Sequence, residues 1–142
     1  MNDPKRVEYA ALVLRVSLGV MFLMHSVWLK AVVFSLAGTA DYFVSIGLPG
    51  LFAYVVFLAE TIGGIMLILG IQTRWVAIAL LPILLGATWV HSENGWLFIN
   101  DGGGWEYPAF LAAATLVLIL LGDGENASDS RQAKARRTKF QT

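Results

Sequence analysis

There is no cysteine among the 142 residues, which excludes a thiol active site, a disulfide framework, an iron–sulfur cluster and any thiolate-ligated metal. Its absence leaves the compartment open. Charge is scarce as well: 14% of residues are Asp, Glu, Lys or Arg, and ten bases balance ten acids. A chain of zero net charge lacks the positive excess on which nucleic-acid binding rests, so no nucleic-acid partner is expected. Histidine occurs only twice, and no His, Asp or Glu spacing is a metal-ligand signature, so no metal is expected either. No nucleophile has a base beside it, which leaves little room for a stand-alone hydrolase. What the chain has in abundance is apolar. With 57% hydrophobic residues and a mean hydropathy of +0.67, it has too little polar surface to clothe a water-exposed globule of this size.

Four apolar runs stand out. Residues 9–28 form twenty nearly uncharged positions, and twenty helical residues span about 30 Å, one hydrocarbon thickness. Residues 51–70 form a second run, and residues 75–90, with Pro82 inside, a third. The four-residue link Ile71 to Arg74 makes these two antiparallel neighbours. Pro108 to Leu121 is short for a span, but Pro108 suits a first helical turn and Trp105 to Tyr107 extend the run to 105–121. Residues 1–122 are therefore expected to be an all-α, integral membrane four-helix bundle. Ala31 to Pro49, apolar but carrying Gly38, Thr39, Asp41, Ser45 and Gly47, is read as an interfacial or re-entrant segment between the first two spans. No small-x-small cleavage site follows the first apolar core, so that helix is expected to be retained.

Orientation follows from the bases. Lys5, Arg6, Arg74 and the cluster Arg131 to Lys139 fall on one side of a four-span chain, while His91 to Tyr107 has no Lys or Arg and carries Glu93, Asp101 and Glu106. Both termini are then cytoplasmic. Trp28, Trp89, Trp96 and Trp105 collect at the outer interface and Trp75 at the inner one. Residues 123–142 read as a disordered, basic cytoplasmic tail lying against anionic lipid heads, where the sequon at Asn126 has no consequence.

Ionisable groups at membrane depth cost roughly 2.5–3.5 kcal/mol on insertion scales and usually face a bundle interior. Glu60 sits near the midplane, where it is either paired or neutral and hydrogen-bonded. Arg15 lies roughly 9 Å from the cytoplasmic end, about 6 Å from the depth of Glu60; it either pairs with Glu60 or snorkels to the cytoplasmic surface. Gly63 and Gly64 lie a turn below Glu60 and allow either close helix packing or room for a ligand, with packing favoured. Arg15, Gly19, Phe22, Ser26 and, more loosely, His25 share one helical face, expected to point inward. His25, His91, Glu93 and Glu106 converge at the outer mouth, where they relay protons, hold a polar head group or simply meet water. Asn100 to Gly104 lacks the lysine and the strand-to-helix setting of a phosphate loop and reads as a flexible turn.

These segments together resemble the DoxX family, from about Leu14 to Gly122. The resemblance is carried by Leu14, Arg15 and Gly19 with Phe22 to His25 and Lys30; by Gly47 to Pro49; by Ala59 to Gly64; by Gly70 to Arg74; and by Gly102 to Tyr107. Ser26 stands where the family often has Gly, and Trp105 where it often has Tyr. The resemblance implies a small four-helix bacterial or archaeal membrane protein of the cytoplasmic membrane. It also implies kinship with subunits of quinone-linked oxidoreductases, such as the thiosulfate to quinone enzyme, and with oxidative-stress membrane assemblies. Arg15, His25, Glu60 and Glu106 match its recurrent polar positions.

Quinone reduction needs proton donors near two carbonyls and an apolar bore for the tail, and the chain offers both. One expectation is therefore a membrane subunit that holds a quinone or similar apolar ligand non-covalently near Glu60 and His25, with Arg15, Phe22, Gly63, Gly64, His91 and Glu106 around it. No electron-carrying centre has ligands here, so a protein partner must supply one. The competing expectation is a non-enzymatic scaffold, anchor or carrier of a small apolar solute, with Arg15 and Glu60 as a structural ion pair.

Overall fold

A computed structural model describes residues 4–122; the expected tail, residues 123–142 with the Asn126 sequon, lies outside them. Among the described residues the chain is helical, without a strand. α1 (Pro4–Leu23) runs unbroken into a π-helical segment (Met24–Val33), followed by α2 (Leu36–Ser45), α3 (Leu51–Leu69) and α4 (Thr73–Val90). A 3-10 turn (Ser92–Asn94) and α5 (Glu106–Leu121) complete it. Three stretches, Lys5–Val33, Leu51–Leu69 and Thr73–Val90, are long and apolar enough to cross a membrane. α5 is shorter, 16 residues, roughly 24 Å of helix.

Polarity is distributed inside out. Arg15, Ser26, Thr39, Glu60, Thr73 and Thr115 are buried, while Trp28, Leu51, Trp75, Trp89, Phe110 and Leu120 are exposed. Such a surface suits hydrocarbon, not water, because lipid tails offer polar groups no partner and drive them inward. This is a multi-pass membrane protein.

α1 packs on α3, α3 on α4, α4 on α5, and α5 back on α1. Leu18, Phe22, Leu67, Leu80, Leu84, Leu111 and Leu118 fill the centre. Lipid tails are as apolar as leucine, so close approach rather than hydrophobicity holds the helices together. A Cβ on Gly19 would lie 2.8 Å from the Gly64 carbonyl, and one on Gly64 2.9 Å from the Gly19 carbonyl. The two backbones touch there, with α1 and α3 antiparallel.

The first helix overruns its expected 9–28 at both ends. Nothing after Trp28 ends it until Ser35, whose φ of 61° breaks the path and whose Oγ accepts from Gly38 N–H at 3.1 Å to cap α2. The connector expected as interfacial or re-entrant is thus largely helical. The Thr39 hydroxyl, 2.8 Å from Ser35 O and 3.2 Å from Lys30 O, shares its proton between them and ties α2 to the end of the π segment. At the end of that segment the capping Phe34 N–H donates to Leu29 O, five residues back, at 3.0 Å. The wider turn brings residues five apart towards one face.

Candidate functional site

Glu60, midway along the apolar α3, is 5% exposed and meets Lys30. The Lys30 ammonium donates to Glu60 Oε2 at 2.6 Å, with both side chains largely buried. Lys30 lies on the π segment, and a helical side chain leans toward its own N-terminus, so its four-carbon stem reaches back into the bundle toward Glu60. His25, five residues before Lys30, is the other basic group acting electrostatically on Glu60. The π turn brings His25 and Lys30 towards the same side, where an α-helix would splay them. His25 Nδ1–H donates to Met21 O at 3.0 Å, so that bond does not use Nε2. Its ring stacks on Tyr107 of α5, centroids 5.9 Å apart and planes 22° from parallel.

The Arg15–Glu60 pair expected from the depths does not form. Arg15 Nη1 donates to Leu67 O at 2.7 Å and Ile68 O at 2.8 Å. Those carbonyls are seven and eight residues beyond Glu60 on α3, roughly 10–12 Å away along the axis. α1 starts earlier than expected and overhangs the end of α3, so Arg15 lies level with the α3 C-terminus. There its cation meets carbonyls of the last helical turn and the negative end of the helix dipole. Nor does it snorkel, being 1% exposed. Arg74 does likewise for α5, Nε donating to Ile119 O at 3.0 Å.

Three other expected ligand contacts are taken up by packing. Phe22 is wholly buried in the core. A Cβ on Gly63 would meet Leu80 Cδ1 at 2.8 Å, and Gly64 abuts Gly19 and Leu23. No ligand slot opens at these glycines. The shared inward face of Arg15, Gly19, Phe22 and Ser26 is as read from the sequence.

The outer groups do not converge as expected either. His91 Nδ1–H donates to Ala87 O at 2.8 Å, Glu106 Oε1 accepts from Phe98 N–H at 2.7 Å, and Glu93 is exposed. Among the described residues no three His, Asp or Glu side chains come together as a metal site would require. The glycine run is pinned rather than loose: Asn94 Nδ2 donates to Gly102 O at 3.1 Å and Gly103 O at 3.0 Å, and Asn100 Nδ2 to Asn94 O at 2.8 Å.

Of the expected site residues, the structure therefore leaves His25 and Glu60 together and adds Lys30 and Tyr107. A signal for Lys30 was present. It is the only Lys or Arg between Arg15 and Arg74, stranded on the acidic side of the charge pattern, and an isolated cation at a membrane edge calls for a counter-ion.

Comparison with known proteins gives a match to the DoxX family over residues 10–93. That range takes in Arg15, His25, Lys30 and Glu60 and stops short of the Gly102 to Tyr107 segment and α5, so the match is less extensive than the resemblance read from the sequence. The Bacillus subtilis (strain 168) protein named "Putative oxidoreductase CatD" is 37% identical over 83 residues, 58% of this chain. The chain spans 60% of that protein's length. No solved structure matches.

Proposed function

This chain belongs to the DoxX family, and from that premise we propose that it is a quinone-binding membrane subunit of an oxidoreductase in a prokaryotic cytoplasmic membrane. α1 with its π extension, α3, α4 and α5 are its four spans, with the start of α1 and the end of α5 both on the cytoplasmic side. The observation that carries the reading is the Lys30–Glu60 pair, an acid and a base held 2.6 Å apart inside an apolar bundle with His25 nearby. Reducing a quinone to its hydroquinone takes two electrons and two protons. The electrons come from a protein partner's redox centre. In this reading Lys30 and His25 hand on the two protons, each becoming neutral until water re-protonates it, and the Glu60 carboxylate remains their counter-ion. Because Leu80, Gly19 and Leu23 fill the glycine side, the ligand approaches from the side of His25 and Tyr107. The relative's name, an oxidoreductase, agrees with this reading.

The test is quinone content of the full-length protein purified from membranes and then exposed to added quinone. Wild type should carry or take up quinone, while Glu60→Gln and His25→Ala should lose most of it. Wild-type protein that neither carries nor takes up quinone would refute the proposal.

A second reading has its own support. The tight Gly19–Gly64 contact and the closed Lys30–Glu60 bond make the pair a staple between α1 and α3 in a scaffold. In that case replacing both partners by apolar residues, Lys30→Met with Glu60→Leu, leaves fold and cellular function intact, as buried ion pairs often allow.

A further inference from the structure

The last carbonyls of a helix have no donor within it, and at membrane depth no water replaces one. The end of the π segment meets this problem at Lys30. An α-helix would give Lys30 O the Phe34 N–H, four residues on, but that N–H donates to Leu29 O at 3.0 Å. The Thr39 hydroxyl stands in its place, 3.2 Å from Lys30 O. It also lies 2.8 Å from Ser35 O, which already takes the Thr39 N–H at 3.0 Å. Of the two acceptors, Lys30 O is the one that has lost its helical donor. Thr39 is buried, so little water competes for the bond.

The residue whose carbonyl is held this way carries the base of the site. Lys30 Nζ reaches Glu60 Oε2 at 2.6 Å only while the turn keeps its stem aimed into the bundle. Terminal turns fray, and a lysine on a frayed turn at a membrane edge extends its ammonium to the interface instead. α2 opposes this because it is braced elsewhere. It packs on α3 as well as on the π segment, and a Cβ on Gly50, just before α3, would lie 3.5 Å from Ala40 O. The hydroxyl therefore links the residue that bears the base to an element seated on the helix that bears the acid. We propose that Thr39 is a positioning residue for the Lys30–Glu60 pair, holding the ammonium on the carboxylate through the Lys30 carbonyl. The inference deepens the proposed function and rests on it only in giving the pair a proton to hand on; the positioning itself is measured without quinone.

The experiment follows acetylation of Lys30 by a water-soluble N-hydroxysuccinimide ester in the full chain in lipid nanodiscs, read by mass spectrometry with the exposed Lys5 as internal reference. Lys30 reacts only when released from Glu60, so its rate reports how often the pair opens. Thr39→Val keeps the shape and deletes the proton donor; it should speed Lys30 acetylation about fivefold, the worth of one hydrogen bond. Thr39→Ser should stay at the wild-type rate, and Lys5 should be unchanged in both. Quinone uptake is measured alongside. If it falls in Thr39→Val with the release of Lys30, both the positioning and the quinone reading are supported; if Lys30 is released and uptake does not move, the positioning stands and the quinone reading falls. An unchanged Lys30 rate in Thr39→Val would overturn the proposal, as would an equal rise in Thr39→Ser, since the hydroxyl would then not be what holds the turn. Should Thr39→Val fail to fold, wild type carries the test: proton-detected solid-state NMR should show the Thr39 hydroxyl proton coupled to the Lys30 carbonyl carbon, and coupling to the Ser35 carbonyl carbon alone would overturn it.

Discussion

Lys30 and Glu60 each carry a group that the membrane interior will not tolerate alone, and each is kept there by the other. Removing one partner strands a buried charge, a loss of about 3–5 kcal/mol in the cases where it has been measured, whereas an apolar pair of similar volume is often neutral. Lys30→Met and Glu60→Leu singly should therefore destabilise the bundle by about that much, and the double variant should recover most of it, as read by unfolding in mixed micelles. Additive losses in the double variant would mean that the two side chains do not interact. Glu60 was legible from the sequence as a group needing a partner, since depth and hydropathy fix its plight. Its partner was not, because the choice between Arg15 and Lys30 turns on helix overhang and on a π turn, neither of which leaves a mark in hydropathy. Phe22 and the two glycines show the same limit: an inward-facing stripe is legible, but whether a ligand or a neighbouring helix fills the space beside it depends on register.

At the scale of helices, the C-terminal ends of α3 and α5 are each closed by an arginine from a neighbouring helix, Arg15 and Arg74. Arg15→Met removes two charge-assisted bonds and a favourable dipole contact, and should cost about 1–3 kcal/mol in the same unfolding assay. Arg15→Lys should restore part of that, because the charge stays while the fork geometry is lost. Were Arg15 instead the partner of Glu60, Glu60→Gln would cancel the effect of Arg15→Met. The α1–α3 contact at Gly19 and Gly64 makes a separate prediction. Gly64→Leu forces the backbones apart and should cost about 1–3 kcal/mol, with α1 the first helix to lose protection from hydrogen exchange. The existence of α1, α3, α4 and α5, though not of α2, was plain from the apolar runs, and the α3–α4 turn from the glycine and short spacing around residues 70–74. The π segment was not, since nothing in the composition of Met24–Val33 separates a π turn from an α turn.

For the whole molecule, polar groups inside and apolar groups outside describe a protein dissolved in lipid, and the asymmetric placement of Lys and Arg supports the proposed orientation. The lack of cysteine makes this simple to test. Val7→Cys and Ile99→Cys, both at exposed positions, should react with an impermeant maleimide from opposite faces, Val7→Cys only when the cytoplasmic face is open to the reagent. Labelling of both from one face would require a different number of spans. What the whole account needs most is the bond between the π segment and α3. Dipolar recoupling by solid-state NMR between Lys30 Nζ and the Glu60 carboxyl carbon, in the full chain in bilayers, measures it directly. A strong coupling, as the 2.6 Å contact demands, is the predicted result; no detectable coupling, with Glu60 instead coupled to the Arg15 guanidinium, would contradict it.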